Sequence, residues 1–204
     1  AADEWLGTAA VDGRNLYYNT QFFNAMNNKE IEFVVAHEIL HMVFDHMGRR
    51  EDRDPMIYNI SADYIVNNTL VRDRIGTIPS IVQCYQDFKY EGWTSEEVYD
   101  DVYEEAKKNG EEYLKQLGEM LDEHLDMEDG DEGSSDGDMG EDGNGNATSG
   151  SKPTYSKEEE KQIKDEIKEN MISAAQSAGA GNVPGAVQRI IKELTEPKMN
   201  WREI

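Results

Sequence analysis

Mostly apolar runs occupy two neighbouring stretches of the chain, and in the second stretch three polar residues recur every four positions. The first stretch is expected to form a helix from an asparagine cap at residues 27–28 to about Gly48. The second opens at Asp54-Pro55, a cap followed by proline at the first helical position, and continues to about Leu70. The pattern therefore predicts two consecutive helices joined by a short connection.

Shorter patterns on either side complete the prediction of secondary structure. Residues 6–19 contain β-favouring runs around Asp12-Gly13, which are typical of a hairpin with a type I′ turn. Residues 71–92 combine glycine, proline and aromatic residues and are expected to form an irregular loop. Capping residues, a proline start and further helical pattern predict the remaining helices, which cover residues 95–108, 111–125, 156–178 and 184–196.

A long acidic stretch interrupts this pattern. Residues 122–150 contain eleven Asp or Glu and no Lys or Arg, and without them the net charge of −23 would be −12. Such a composition cannot bury enough apolar surface to fold, so we expect disorder; calcium binding is the alternative, although the spacing fits neither the EF-hand loop nor a nonapeptide repeat. The chain is divided accordingly into a core at 1–126, an acidic disordered linker at 127–153 and a C-terminal helical segment at 154–204 that packs on the core.

Charge and composition exclude several classes of function. A strongly negative surface repels phosphate, which argues against nucleic-acid binding. No apolar stretch is long enough to cross a membrane, and we expect neither a signal peptide nor a lipid anchor. The single cysteine, Cys84, excludes an intrachain disulfide framework and fits a reducing compartment. We therefore expect a cytoplasmic protein without nucleic-acid or membrane partners.

The first helix carries the sequence His37-Glu38-Ile39-Leu40-His41, an HExxH motif, within its apolar run. Residues four apart lie on the same helix face, so two imidazoles at this spacing can hold one metal ion. Glu38 lies one step round the helix, where a carboxylate can take a proton from water without binding the metal. The alternative is a pair of core histidines with ordinary hydrogen-bond partners, but one ion would satisfy all three polar groups together.

A catalytic zinc site needs a third protein ligand and an open position for water. His46 lies about 140° round an ideal helix from the second histidine and reaches the ion only if the helix ends or bends. His124 lies far along the chain, beside the acidic linker. Asp63 is favoured, because Asn59, Asp63 and Asn67 form a polar stripe on the second helix, where a cation and two amides would satisfy a buried carboxylate. His46 is then expected to support a ligand.

The sequence from His37 to His46, the Asp54-Pro55 pair and the run from Asn59 to Asp63 together resemble a family of metallopeptidase domains. In that family an HExxH helix is followed by an Asn-x-Ala-x-Asp helix, often just upstream of a von Willebrand A-like domain. The similarity includes residues 12–18 and 95–99 and the C-terminal sequence 184–203, whereas the acidic stretch lies outside it.

The resemblance implies an α+β, zincin-like fold that is mostly helical, with a small N-terminal sheet packed on the HExxH helix. It implies Zn2+ bound by His37, His41 and Asp63, with Glu38 as the general base of a zinc-dependent metallopeptidase. Family members with the A-like domain are often encoded near MoxR-type AAA+ ATPases. The expected partners are therefore a peptide or protein substrate and, in addition, such an ATPase or an A-like domain.

The expected mechanism assigns one step to each group. Zinc lowers the pKa of a bound water and polarises the peptide carbonyl, while Glu38 accepts the proton and returns it to the leaving amine. Tyr64, Tyr85 and Tyr90 are unranked candidates for a donor to the oxyanion. Two alternatives stay open: a catalytically silent or latent zinc-binding module that works with a partner, and an amidase of the same chemistry acting on a non-protein amide.

Overall fold

The computed structural model describes residues 6–11, 14–110, 113, 115, 156–179, 181–183 and 185–195. In these ranges the chain is mostly helical with one two-stranded antiparallel sheet, which confirms the expected α+β composition. Almost all of the helix predicted over 111–125, the acidic linker and His124 lie outside the described residues. The elements are β1 (Ala9–Val11), β2 (Leu16–Tyr18), α1 (Thr20–Asn24), α2 (Asn28–Val43), α3 (His46–Arg49), α4 (Pro55–Asp73), a 3-10 helix (Phe88–Tyr90), α5 (Ser95–Asn109), α6 (Lys157–Ala178) and α7 (Gly185–Thr195).

β1 and β2 form the predicted hairpin, but their connection is longer than the sequence indicates. Val11 pairs with Leu16, so four residues separate the innermost pair, and the prediction of a two-residue type I′ turn is wrong. Arg14 lies in this connection, outside the paired residues of the hairpin. Its guanidinium pairs with the Glu166 carboxylate of α6 at 3.1 Å. All three residues of β1 are buried, and the strand packs against α2 as expected.

Local capping chemistry sets the starts of the predicted helices. Asn27 and Glu30 form a reciprocal capping box at the start of α2, and Asp54 accepts a backbone hydrogen bond of 3.0 Å in the first turn of α4. The same reciprocal arrangement begins α5 at Thr94 and α6 at Ser156. These starts agree with the sequence predictions, because each depends on residues within one helical turn. The short helix α1 has no counterpart among the predicted elements.

α2 ends at Val43, well before the predicted end near Gly48. Asp45 has a φ of 51°, in the left-handed region, through which an α-helix cannot continue. Its carboxylate pairs with the Lys164 ammonium of α6 at 3.2 Å. After this break the chain forms the four-residue helix α3, so that His46 lies on a helix of its own.

α4 lies at the centre of the described core, between α2 on one side and α5 on the other. The cluster between α2 and α4 is built from Phe33, Leu40, Phe44, Val66 and Leu70. The cluster shared by α4, α5 and the 71–92 loop is built from Ile57, Ile60, Tyr85, Tyr90, Val98, Val102 and Ala106. Because His37 contacts Asn67 whereas His41 contacts Asp63, α2 and α4 are antiparallel.

The predicted irregular loop over residues 71–92 folds back along the start of α2. Gly76 has a φ of +62° and lies so close to the α2 backbone that a Cβ atom there would meet a main-chain nitrogen at 2.4 Å. Further along, the Ser80 N–H donates to the Glu30 carboxylate at 2.9 Å. The bare backbone at Gly76 therefore allows the loop to lie against α2 before it reaches Tyr85 in the core.

Both C-terminal helices contact the core. α6 packs against α2, and α7 places Val187 and Ile190 against the cluster between α2 and α4. The segment boundaries at 126/127 and 153/154 lie outside the described residues and stay a prediction. Within the described parts of the chain, no helix is both long and apolar enough to cross a membrane.

Candidate metal centre

The two histidines of the HExxH motif project from the same face of α2. His37 is buried, His41 is partly buried, and their Nε2 atoms lie 3.0 Å apart. A straight helix brings residues four apart one above the other, so the motif spacing alone produces this closeness. Two ring nitrogens therefore converge on one point between α2 and α4.

Asp63 approaches this point from α4. Its Oδ1 atom lies 3.0 Å from Nε2 of His41 and 3.5 Å from Nε2 of His37, and its side chain is buried. The antiparallel packing of α4 on α2 places the middle of the polar stripe opposite the motif. His37, His41 and Asp63 thus form a group whose ligand atoms could hold a metal ion.

The separations within this group fit the dimensions of a zinc site. Ligand bonds of about 2.0–2.2 Å in a tetrahedral arrangement put the ligand atoms about 3.3–3.6 Å apart. The three observed separations, 3.0, 3.0 and 3.5 Å, lie close to that range. Two imidazoles and one carboxylate are also a donor set that catalytic zinc sites use. The residues present therefore fit the metal that the sequence predicts.

The second ring nitrogen of His37 is held from α4. Its Nδ1 atom lies 2.9 Å from Oδ1 of Asn67, whose Nδ2 donates at 2.9 Å to the backbone carbonyl of Tyr85. Because that carbonyl can only accept, the Asn67 amide must present its oxygen to the ring, which leaves the lone pair of His37 on Nε2. The expectation that Asn67 would support the Asp63 carboxylate is therefore wrong: the amide supports His37 instead.

The second ring nitrogen of His41 is held from α3. Its Nδ1 atom lies 3.1 Å from Nδ1 of His46, and Nε2 of His46 lies 2.8 Å from the Ser95 hydroxyl at the start of α5. His46 comes this close because α2 ends before it. Both of its nitrogens face partners other than Asp63, so the structure places it beside the group, in contact with His41, and not among the three converging atoms.

Burial determines the charge state of His46. Loss of hydration lowers its pKa well below the ordinary value, with smaller contributions in the same direction from His41 and Arg49, against an opposing contribution from Asp63. A neutral imidazole has one donor and one acceptor nitrogen. His46 can therefore accept a hydrogen bond at one nitrogen while it donates at the other.

Glu38 stands next to His37, outside the three-residue group. Its side chain is half-buried, and loss of hydration raises its pKa to about 7, although His37 lowers it and Asp63 raises it further. A carboxylate with a pKa near neutrality can both accept and return a proton, which is the property that a general base in hydrolysis needs.

The three tyrosines considered as oxyanion donors belong to the core. Tyr85 and Tyr90 are almost fully buried, and Tyr64 packs its ring against both of theirs. The Tyr90 hydroxyl donates to Asp101 at 2.9 Å. These contacts make the three tyrosines part of a structural cluster. Burial and the nearby Asp63 carboxylate also raise the pKa of Tyr85. Ser95, at the start of a predicted helix, was not among the site residues predicted from the sequence.

The family model described as a putative metallopeptidase domain matches residues 1–204, the full length of the chain. No curated protein and no solved structure matches the chain. The matched region contains Glu38 and the three residues whose ligand atoms could hold a metal ion, which are His37, His41 and Asp63.

Proposed function

The chain belongs to the putative metallopeptidase domain family, and from this premise we propose that it is a zinc-dependent metallopeptidase that hydrolyses peptide bonds. The observation that carries the proposal is the convergence of His37, His41 and Asp63 on one point, with Glu38 beside it. In the same proposal, α2, α4 and the sheet on α2 correspond to a zincin-like core.

His37, His41 and Asp63 would hold the metal, and zinc is proposed because imidazole and carboxylate donors in threes are typical of its catalytic sites. A bound zinc ion supplies Lewis acidity and makes a water molecule acidic enough to be deprotonated near neutral pH. Three protein ligands leave a coordination position for that water, whereas a fourth would close the site.

Glu38 is the proposed general base. It lies on the same helix as the two histidines but outside the ligand group, so its carboxylate is available to take a proton from the attacking water. Its raised pKa of about 7 allows it to pass that proton to the departing amine. His37, His41 and Asp63 are thus proposed to bind the metal, and Glu38 to transfer the proton.

The test measures zinc content and peptide cleavage in the wild type and in Glu38→Gln. We expect one zinc per chain in both proteins, and a fall of about 10²- to 10⁴-fold in kcat/KM for the variant. Suitable probes are a quenched fluorescent peptide library and labelled unfolded casein. Glu32→Gln is the matched control, since Glu32 is exposed on the same helix and pairs with Lys29.

Four outcomes separate the alternatives. A wild type that binds no zinc overturns the proposed metal centre, and a fully active Glu38→Gln overturns the assigned base. Zinc binding without cleavage of any peptide would leave the reading of a silent or latent module that acts with a partner, such as a MoxR-type AAA+ ATPase or a von Willebrand A-like domain. Cleavage of a non-protein amide, with peptides left intact, would identify an amidase.

A further inference from the structure

A continuous chain of side chains links the candidate metal centre to a different part of the fold. It runs from His41 on α2 through His46 on α3 to Ser95 on α5, with atom separations of 3.1 and 2.8 Å. His46 is 4% exposed and Ser95 is 1% exposed, so water does not compete for either contact. A chain of hydrogen bonds that begins at Nδ1 of His41 therefore links residues of three separate helices.

The directions of these hydrogen bonds follow from the chemistry of imidazole. If Nε2 of His41 offers its lone pair to a metal, the ring proton is on Nδ1, which must then donate to Nδ1 of His46. A neutral His46 that accepts at Nδ1 has its own proton on Nε2 and donates it to the Ser95 hydroxyl. One arrangement of protons thus satisfies every contact and leaves Nε2 of His41 ready to bind.

We propose that His46 and Ser95 are positioning residues that hold His41 in the tautomer and ring orientation required for metal binding. This inference rests on the proposed function, because it assigns a supporting role within the same metal centre. A ligand histidine usually donates its second N–H to an outer partner, which fixes the ring and increases its basicity. Here that partner is a second histidine, itself fixed by a serine.

The surroundings of His46 keep it in place. The Arg49 guanidinium forms two hydrogen bonds with the Glu96 carboxylate, at 2.6 and 2.9 Å, and a third with the Phe44 carbonyl at 3.2 Å. These contacts join α3 to α5 and to the end of α2 on either side of the imidazole. The rings of Phe44 and Tyr58 flank it, with centroids at 5.4 and 6.3 Å.

The experiment compares zinc dissociation constants, measured by competition with a chelator, in wild type, His46→Phe, His46→Asn and Ser95→Ala. His46→Phe keeps a ring but removes the acceptor, and we expect zinc affinity to fall about 10- to 100-fold. His46→Asn restores an acceptor near the position of Nδ1 and should recover most of that loss. Ser95→Ala removes only the end of the chain and should have the smallest effect.

Ser61→Ala provides the matched control. Ser61 is fully buried on α4 and donates its hydroxyl to a backbone carbonyl at 2.7 Å, without a contact to a ligand. We expect this variant to unfold at a lower temperature than the wild type and to bind zinc equally well. A purely structural role for His46 would make the His46 variants behave in the same way.

Two results would overturn the inference. Equal zinc affinity in wild type, His46→Phe and Ser95→Ala would remove any positioning role. A cobalt-substituted His46→Asn with a ligand-field spectrum unlike that of the wild type would identify His46 as a ligand. Zinc affinity can be measured whether or not the protein cleaves peptides, so a wild type that binds zinc but is inactive would contradict the proposed function alone.

Discussion

The two histidines of the candidate metal centre are supported by different kinds of hydrogen-bond partner. We call these supports the His37 side and the His41 side. On the His37 side, the support is one amide, Asn67, and its own partner is a backbone carbonyl in the core. On the His41 side, the support passes through one side chain, His46, and ends at Ser95, on a third helix. The first side is fixed by the packing of α4 and its loop, whereas the second depends on how three helices sit together.

This difference has a physical consequence. A backbone carbonyl within a packed core has little freedom to move, so we expect His37 to be the more rigidly held of the two histidines. The contacts of His41 change whenever α3 or α5 shifts, and α3 has only four residues after a left-handed Asp45. We therefore expect perturbations of the His37 side to cost stability together with metal affinity, and perturbations of the His41 side to cost mainly affinity.

The largest effect is expected from the residue that both sides share. Asp63→Ala removes the carboxylate that lies within 3.5 Å of both Nε2 atoms, so zinc should no longer co-purify with the protein, and cleavage should be lost. Metal analysis after exhaustive dialysis measures this. Asp73→Ala is the control, because Asp73 pairs with Arg72 near the end of the same helix. Retention of one zinc per chain in Asp63→Ala would exclude Asp63 as a ligand.

The next largest effect is expected from the loss of the amide that supports His37. Asn67→Ala leaves two buried polar groups without their partner, and we expect a loss of about 1–3 kcal/mol in the free energy of unfolding. Zinc affinity should fall about 10- to 100-fold as well. Asn67→Asp keeps an acceptor for His37, so it should retain affinity while remaining less stable. Denaturant unfolding of the metal-free protein and chelator competition measure the two quantities.

Asn68→Ala sharpens this comparison as a control. Asn68 is buried on the same helix, and its amide donates to the backbone carbonyl of Asp87 at 2.7 Å. Its replacement should lower stability without weakening zinc binding. If Asn68→Ala and Asn67→Ala weakened zinc equally, the specific support of His37 would be excluded.

The smallest effect concerns the ion pair between Arg49 of α3 and Glu96 of α5, which joins two helices on the His41 side. Burial raises the pKa of Glu96, but the hydrogen bond and positive charge of Arg49, together with hydrogen bonds from the Glu96 backbone and Thr94, outweigh it. The pKa in the folded protein therefore lies below the ordinary value of 4.5. The unfolded chain then binds the proton more readily than the folded one. The stability from this pair is therefore present above about pH 4.5 and is lost as the pH falls through the folded-state pKa.

Glu96→Gln tests this prediction. Unfolding midpoints measured between pH 7 and pH 3 should decline less steeply in the variant than in the wild type. Glu104→Gln is the control, since Glu104 forms an exposed pair with Lys107 on the outer face of α5. Parallel curves for wild type and Glu96→Gln would contradict a role of the Arg49–Glu96 pair in acid stability.

Much of the fold is predictable from short stretches of sequence, because helix starts depend on chemistry within one turn. The capping pairs at Asn27 and Thr94 and the Asp54-Pro55 start are examples. The closeness of the two motif histidines is equally local. Asp63 was found because a polar stripe on an apolar helix needs an explanation, and the structure places it opposite the motif.

The features that sequence did not predict depend on contacts between distant elements. The early end of α2 accompanies a left-handed Asp45 that pairs with Lys164, more than a hundred residues away. Asn67 lies in the predicted stripe, but only the position of the Tyr85 carbonyl decides which way its amide points. Ser95 has no chemical signature of its own, since its role arises from the docking of α5 beside α3.

The candidate metal centre also depends on the absence of a side chain at Gly76, which a search for metal ligands would not detect. A methyl group added there would collide with the α2 backbone and push away the loop that leads to the Tyr85 carbonyl. The displacement would release Asn67 and, through it, His37. A substitution that adds a Cβ atom at Gly76 is therefore expected to weaken metal binding, although every candidate ligand and every supporting side chain is still present. Anyone transplanting this centre to another scaffold must copy an empty space along with the residues.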